Sequence, residues 1–149
     1  MTVYRHAIAP SGHDMSGTFV LRGRLHGPKL AEKYAGQTIA DGDDVIVATI
    51  PEGGMLLAGY YRIATGEGSS KTIDVGLSED GTDFLSNLDV QTGAGNWTAM
   101  TSPGYESDDF DQPVSSATDI YVNMDTAIGT AVVDFMWIGV IANEYLMQA

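Results

Sequence analysis

The chain has no cysteine. That excludes a disulfide framework, a thiolate metal site and a cysteine nucleophile. Basic residues are scarce: seven Lys and Arg in 149 residues, none of them beyond Lys71. Long apolar runs are missing too. The longest, 131–142, is interrupted by Asp134 and is too short to span a bilayer. The first six residues lack the apolar core of a signal peptide. A soluble protein with no membrane partner is expected. There is no internal repeat, heptad or linker-like stretch. A chain of this length buries roughly 70% of its unfolded surface as one domain, so its core needs no staple.

What is present is acid, and it is unevenly spread. Twenty Asp and Glu give a net charge of −13. Residues 72–149 hold thirteen of those acids and no Lys or Arg. Residues 1–36 hold five basic residues, Arg5, Arg22, Arg24, Lys29 and Lys33, against Asp14 and Glu32. An acidic body repels phosphate backbones, so a nucleic-acid partner is not expected.

Turn residues recur at short intervals between alternating segments, which predicts about eight strands. In 18–25 (TFVLRGRL), Phe19 and Leu21 share one face; Val20, Arg22 and Arg24 share the other. Segment 44–50 (DVIVATI) ends at Pro51, and Pro-Glu-Gly-Gly turns the chain into 55–64 (MLLAGYYRIA). In 71–78 (KTIDVGLS), Ile73, Val75 and Leu77 point one way, giving a strand with one wet face. Segment 118–124 (TDIYVNM) repeats that pattern. A short helix fits 28–35 (PKLAEKYA), with a proline in the first turn and Gly36 as a stop, and an extended arm is the alternative. Segment 83–88 (DFLSNL) reads as one short turn.

The last segment, 131–142, is apolar on both faces. Val133, Phe135, Trp137 and Ile141 share one; Val132, Met136, Ile138 and Val140 share the other, with Asp134. A central strand covered on both sides explains that pattern, and so does a face packed on a neighbouring subunit. The expected fold is all-β: an antiparallel, jelly-roll-like β-sandwich over 17–149, behind an N-terminal arm, 1–16.

Chemistry is thin. His6, His13 and His26 lack metal-ligand spacing. No G-x-S-x-G turn is present to carry a nucleophile. Gly66-Glu-Gly-Ser-Ser70 resembles a phosphate cradle but lacks a following helix, and a hairpin loop fits it better. Acidic runs at 41–44 and 79–83 offer oxygen ligands, but neither matches the twelve-residue calcium loop; turn chemistry accounts for both. A pair of hydrolytic carboxylates would form only in three dimensions. No catalytic residue, metal or cofactor is expected, and the chain reads as no enzyme.

The stretch Val47-Ala-Thr-Ile-Pro-Glu-Gly-Gly-Met-Leu-Leu-Ala-Gly-Tyr60, followed by Ile73-Asp-Val-Gly76 and Asp80-Gly-Thr-Asp-Phe-Leu85, resembles small structural proteins of tailed bacteriophages. The resemblance covers about residues 44–92. It implies a decoration (cement) protein on the capsid surface, made in the host cytoplasm. The implied partners are the major capsid protein and further copies of this chain, a trimer above all. Under that reading Arg5, Arg22, Arg24, Lys29 and Lys33 dock on the shell. Val132, Met136, Trp137, Ile138 and Val140 form the subunit interface. The alternative is a receptor- or carbohydrate-binding module of a tail or fibre, with Trp97, Tyr105 and Phe110 as exposed loop contacts.

Overall fold

The computed structural model describes residues 3–5, 17–33, 42–100, 113–125 and 127–141. The elements in chain order are β1 (Val3–Arg5), β2 (Thr18–His26), α1 (Gly27–Lys33), β3 (Asp44–Ile50), β4 (Gly54–Thr65), β5 (Thr72–Gly76), β6 (Leu85–Asp89), β7 (Thr98–Ala99), β8 (Thr118–Met124) and β9 (Val132–Ile141). They build a five-stranded sheet, β1-β3-β8-β5-β6, and a four-stranded sheet, β2-β9-β4-β7. The chain is a β-sandwich.

The pairings are nested. β5 pairs with β6, β4 with β7, β3 with β8 and β2 with β9, all antiparallel. One long hairpin, bent at the β5–β6 turn and rolled up, gives that nesting. The β4–β9 and β5–β8 ladders are the seams where the roll meets itself. This is the eight-strand jelly roll. β1 adds a ninth strand, parallel to β3 at the sheet edge, so Val3–Arg5 of the expected arm join the sheet.

Alternation along each strand decides what is inside. Phe19, Leu21 and Leu25 of β2 are fully buried, as are Ile73 and Val75 of β5, Ile120, Val122 and Met124 of β8, and Val133, Phe135 and Trp137 of β9. Trp137 lies at the centre. Its ring stacks near Phe135 at 5.7 Å and meets Phe84 at 5.5 Å in a tilted contact. Gly139, next but one along β9, leaves room for the Phe19 ring: a Cβ there would sit 2.5 Å from it.

Several expectations need correction. Trp137 is 0% exposed within its own chain, so it cannot serve a subunit interface. Segment 83–88 is no isolated turn; most of it enters β6, with Asn87 in the left-handed region at φ 54°. The outer face of β5 is not wet at Asp74, which is 8% exposed and accepts a hydrogen bond from the Asn87 amide at 2.7 Å. Loop 66–70 is no hairpin either, because β4 and β5 belong to different sheets. Instead the Glu67 carboxylate accepts the backbone N–H groups of Gly129, Thr130 and Ala131 at 3.0, 2.9 and 2.7 Å.

The short helix forms and starts one residue before the expected span; residues 34–36, with the expected glycine stop, lie outside the described residues. His26 Nδ1 accepts the Lys29 backbone N–H at 3.1 Å, which satisfies one of the first-turn donors. Leu30, 1% exposed, pins the helix to the core.

Glu67 ties the β4–β5 crossover to the loop before β9. Burial raises its pKa, but the three amides and the Lys71 charge outweigh burial and hold it low. Glu67→Ala is expected to cost about 1–3 kcal/mol of stability, read as a lower urea midpoint at pH 7.

Candidate docking surface

The register of β2, β9 and β4 lays out the outer face of the four-stranded sheet row by row. Val140 lies between Thr18 and Met55, and Ile138 between Val20 and Ala58. Met136 lies between Arg22 and Tyr60, Asp134 between Arg24 and Arg62, and Val132 between His26 and Thr65. One end of the face is therefore apolar and the other charged. A bulge in β4 leaves Leu57 as an extra residue beside Ala58. Leu57 is 53% exposed and Ile138 37%. Val20, Met55 and Val140 are half-buried around them.

The charged end is organised by Asp134. Arg24 Nε donates to its Oδ1 at 2.6 Å, and Arg62 Nη2 donates to its Oδ2 at 2.7 Å. The carboxylate is buried while the two arginines keep roughly a third to a half of their side chains in solvent. Burial pushes the Asp134 pKa up, but the bonds and charges of Arg24 and Arg62 overcome it and hold the carboxyl below its ordinary value. The Arg62 guanidinium also lies over the Trp97 ring, 4.7 Å from its centroid. Trp97, 42% exposed, comes from the loop before β7. Arg22, Arg24, Lys29, Arg62, Trp97 and Asp134 together line an open groove of about 350 Å³.

The two sets of residues that composition and patterning had assigned to separate jobs thus share one face. Arg22, Arg24 and Lys29 line the groove. Met136, Ile138 and Val140 continue the face toward its apolar end. Val132 does not join them, because Asp134 separates it from Met136 on the same side of β9. The side chains of Arg5 and Lys33, and the whole of Tyr105 and Phe110, lie outside the described residues. Arg62 is the residue that sequence reasoning missed. It stands in the middle of an apolar strand, and its cross-strand row with Asp134 was the only signal that could have found it.

Acids gather on the other side. The described part of the first run, 42–44, converges with 79–83: Asn123 Nδ2 donates to Asp44 Oδ1 at 3.2 Å and to Asp80 Oδ1 at 2.8 Å. Asp80 holds φ 58°, and the Asp83 carboxylate accepts the Leu77 N–H at 2.8 Å, as turn chemistry requires. Burial pushes the Asp44 carboxyl up, and the charges of Asp80 and Glu79 add to it; hydrogen bonds from Asp80 and Asn123 only partly offset this. Burial, followed by the neighbouring Asp74 carboxyl, pushes Asp125 up to about 6. Among the described residues, no group of three or more His, Asp or Glu is arranged to hold a metal ion. The groove itself holds one carboxylate, already taken by two arginines, which is not the geometry of a hydrolytic pair.

No protein-family model matches the chain, and no curated protein matches it in sequence. Its fold does have solved counterparts. A chain in the capsid of Ralstonia phage GP4 superposes with a TM-score of 0.66 at 14% identity, over 96% of this chain and 100% of that one. A chain in the capsid asymmetric unit of cyanophage Pam1 superposes with a TM-score of 0.60 at 18% identity, over 90% of this chain and 92% of that one. At such identities the shared property is the fold.

Two outcomes are expected from these charges. Asp134→Asn removes the carboxylate that both arginines need. It should cost about 1–3 kcal/mol at pH 7, and its gap to the wild type should close in acid as the wild-type carboxyl takes up its proton. Asp125 has the opposite sign. Its raised folded pKa favours the protonated state, so its contribution is full below the ordinary aspartate value and is lost as pH rises through about 6. Asp125→Asn should raise the melting temperature at pH 7.5 and shrink the wild type's gain on acidification from pH 7 to pH 5.

Proposed function

We propose that the chain is a structural protein of a phage virion: a decoration protein that binds the assembled capsid shell as an oligomer. One observation carries the reading. In a protein of net charge −13, a single sheet face collects the described arginine side chains, Arg22, Arg24 and Arg62, and the exposed large apolar ones, Leu57, Trp97 and Ile138. A solvated face needs neither feature. The likeness to whole chains from two phage capsids supports the same reading at the level of fold.

The two ends of the face suit two jobs. The apolar end around Ile138, Val140, Met55 and Leu57 serves contact between copies, most simply in a trimer. The basic end serves the shell. The role is binding, with no reaction and no cofactor. A glycan-binding module on a tail or fibre has less behind it: of its three loop aromatics, only Trp97 lies among the described residues.

The test is composition and mass. Purified virions should contain the chain at a fixed ratio to the major capsid protein, and its absence from them would overturn the reading. Light scattering should give an oligomer at micromolar concentration, reduced to monomer by Ile138→Asp with Leu57→Asp. A wild-type monomer would remove the subunit role of the apolar end.

A further inference from the structure

We infer that the groove at the basic end is a seat for a carboxylate-rich segment of the shell protein, which rests on the virion reading above. Its lining has four cationic side chains, Arg22, Arg24, Lys29 and Arg62, against one carboxylate, Asp134. The surplus is positive although the chain as a whole is strongly negative.

The cations are also held in place. Arg24 and Arg62 each spend one edge on Asp134, which fixes both guanidiniums across a buried carboxylate. Arg62 is braced from above by Trp97. Less side-chain freedom is then lost when an anion arrives. Arg22 and Lys29 stand outside that arrangement, on β2 and on the first turn of α1, and both are exposed. The groove therefore offers a braced half and an exposed half, plus the exposed Trp97 ring as an apolar wall.

Charge decides among the occupants. A second copy presenting the same face would set two positive grooves against each other. A second copy presenting its opposite sheet would bring acids, since Glu79, Asp80 and Asp89 are exposed around the five-stranded sheet and Asp119 is partly exposed on β8. Those two faces look in opposite directions, so that contact repeats without closing and builds an open stack. A long phosphate polymer meets the repulsion of the whole acidic body. A short carboxylate segment on another protein meets only the groove.

The experiment has two arms. In the first, Arg22→Glu/Lys29→Glu protein is added to heads that lack the decoration protein. Its affinity should fall roughly tenfold or more, and 0.5 M NaCl should weaken the wild type in the same direction. Its melting temperature should stay at the wild-type value, because neither residue belongs to the Asp134 cluster. In the second, hexa-aspartate peptide is titrated into isolated wild-type protein. Trp97 emission should respond, and Trp97→Phe should lose the response.

Equal head binding by the double variant would overturn the groove assignment while leaving the virion reading intact. Absence of the wild type from virions, with hexa-aspartate still bound, would sink the virion reading and with it the shell protein as occupant. Tighter binding of a DNA oligonucleotide than of the peptide would overturn the carboxylate preference. A loss of oligomer mass in the double variant would assign the groove to a second copy instead.

Discussion

Everything in this molecule hangs on where β9 goes. It enters the four-stranded sheet between β2 and β4, taking a ladder on both edges. Its inner side chains, Val133, Phe135 and Trp137, fill the middle of the sandwich. Its outer side chains form the midline of the candidate docking face. One ten-residue strand thus supplies the core's largest ring, the sheet's seam and the carboxylate that holds two arginines. Asp134 binds Arg24 on one neighbour and Arg62 on the other, so the salt bridges repeat the strand order in side-chain form.

The putting of two kinds of contact on one face follows from the same strand. Met136 marks the border between them, with Arg22 on one flank and Tyr60 on the other. The apolar end lacks charge because its outer rows, Thr18–Val140–Met55 and Val20–Ile138–Ala58, contain none. The opposite sheet shows how differently the same chain treats acids. There carboxylates face one another around Asn123, and at Asp125 the balance moves toward the protonated form. Sign segregation, more than net charge, gives the sandwich its two unlike sides.

Much of this was legible in the residues. The alternations at 18–25, 118–124 and 131–142 named the inner and outer side chains of β2, β8 and β9 correctly, because a strand with one buried face must alternate. The doubly apolar last strand was ambiguous between a covered central strand and a subunit face. Its position between β2 and β4 settles the inner half, and Trp137 belongs there. Segment 83–88 was misread because Asp, Ser and Asn signal turns locally, while its pairing partner, β5, was invisible to local pattern. Loop 66–70 was misread for a related reason: adjacency in sequence suggests a hairpin, yet in this roll every consecutive pair of described strands except β5–β6 changes sheet. Nothing local marked Arg62, since a cation's purpose on a sheet depends on which residue the register sets beside it.

The placement of β9 has a consequence in time. Arg24 and Asp134 are 110 residues apart in the chain, yet they are neighbours in the sheet. As the chain leaves the ribosome, β2 and β4 are complete long before the strand that must lie between them. Until residue 141 emerges, each presents an unpaired edge and an uncovered apolar face. Folding dominated by such distant contacts is slow. The surplus of acid gathers only beyond Lys71, so it begins to hold half-built copies apart once the chain past β4 has emerged, during the wait for the last strand.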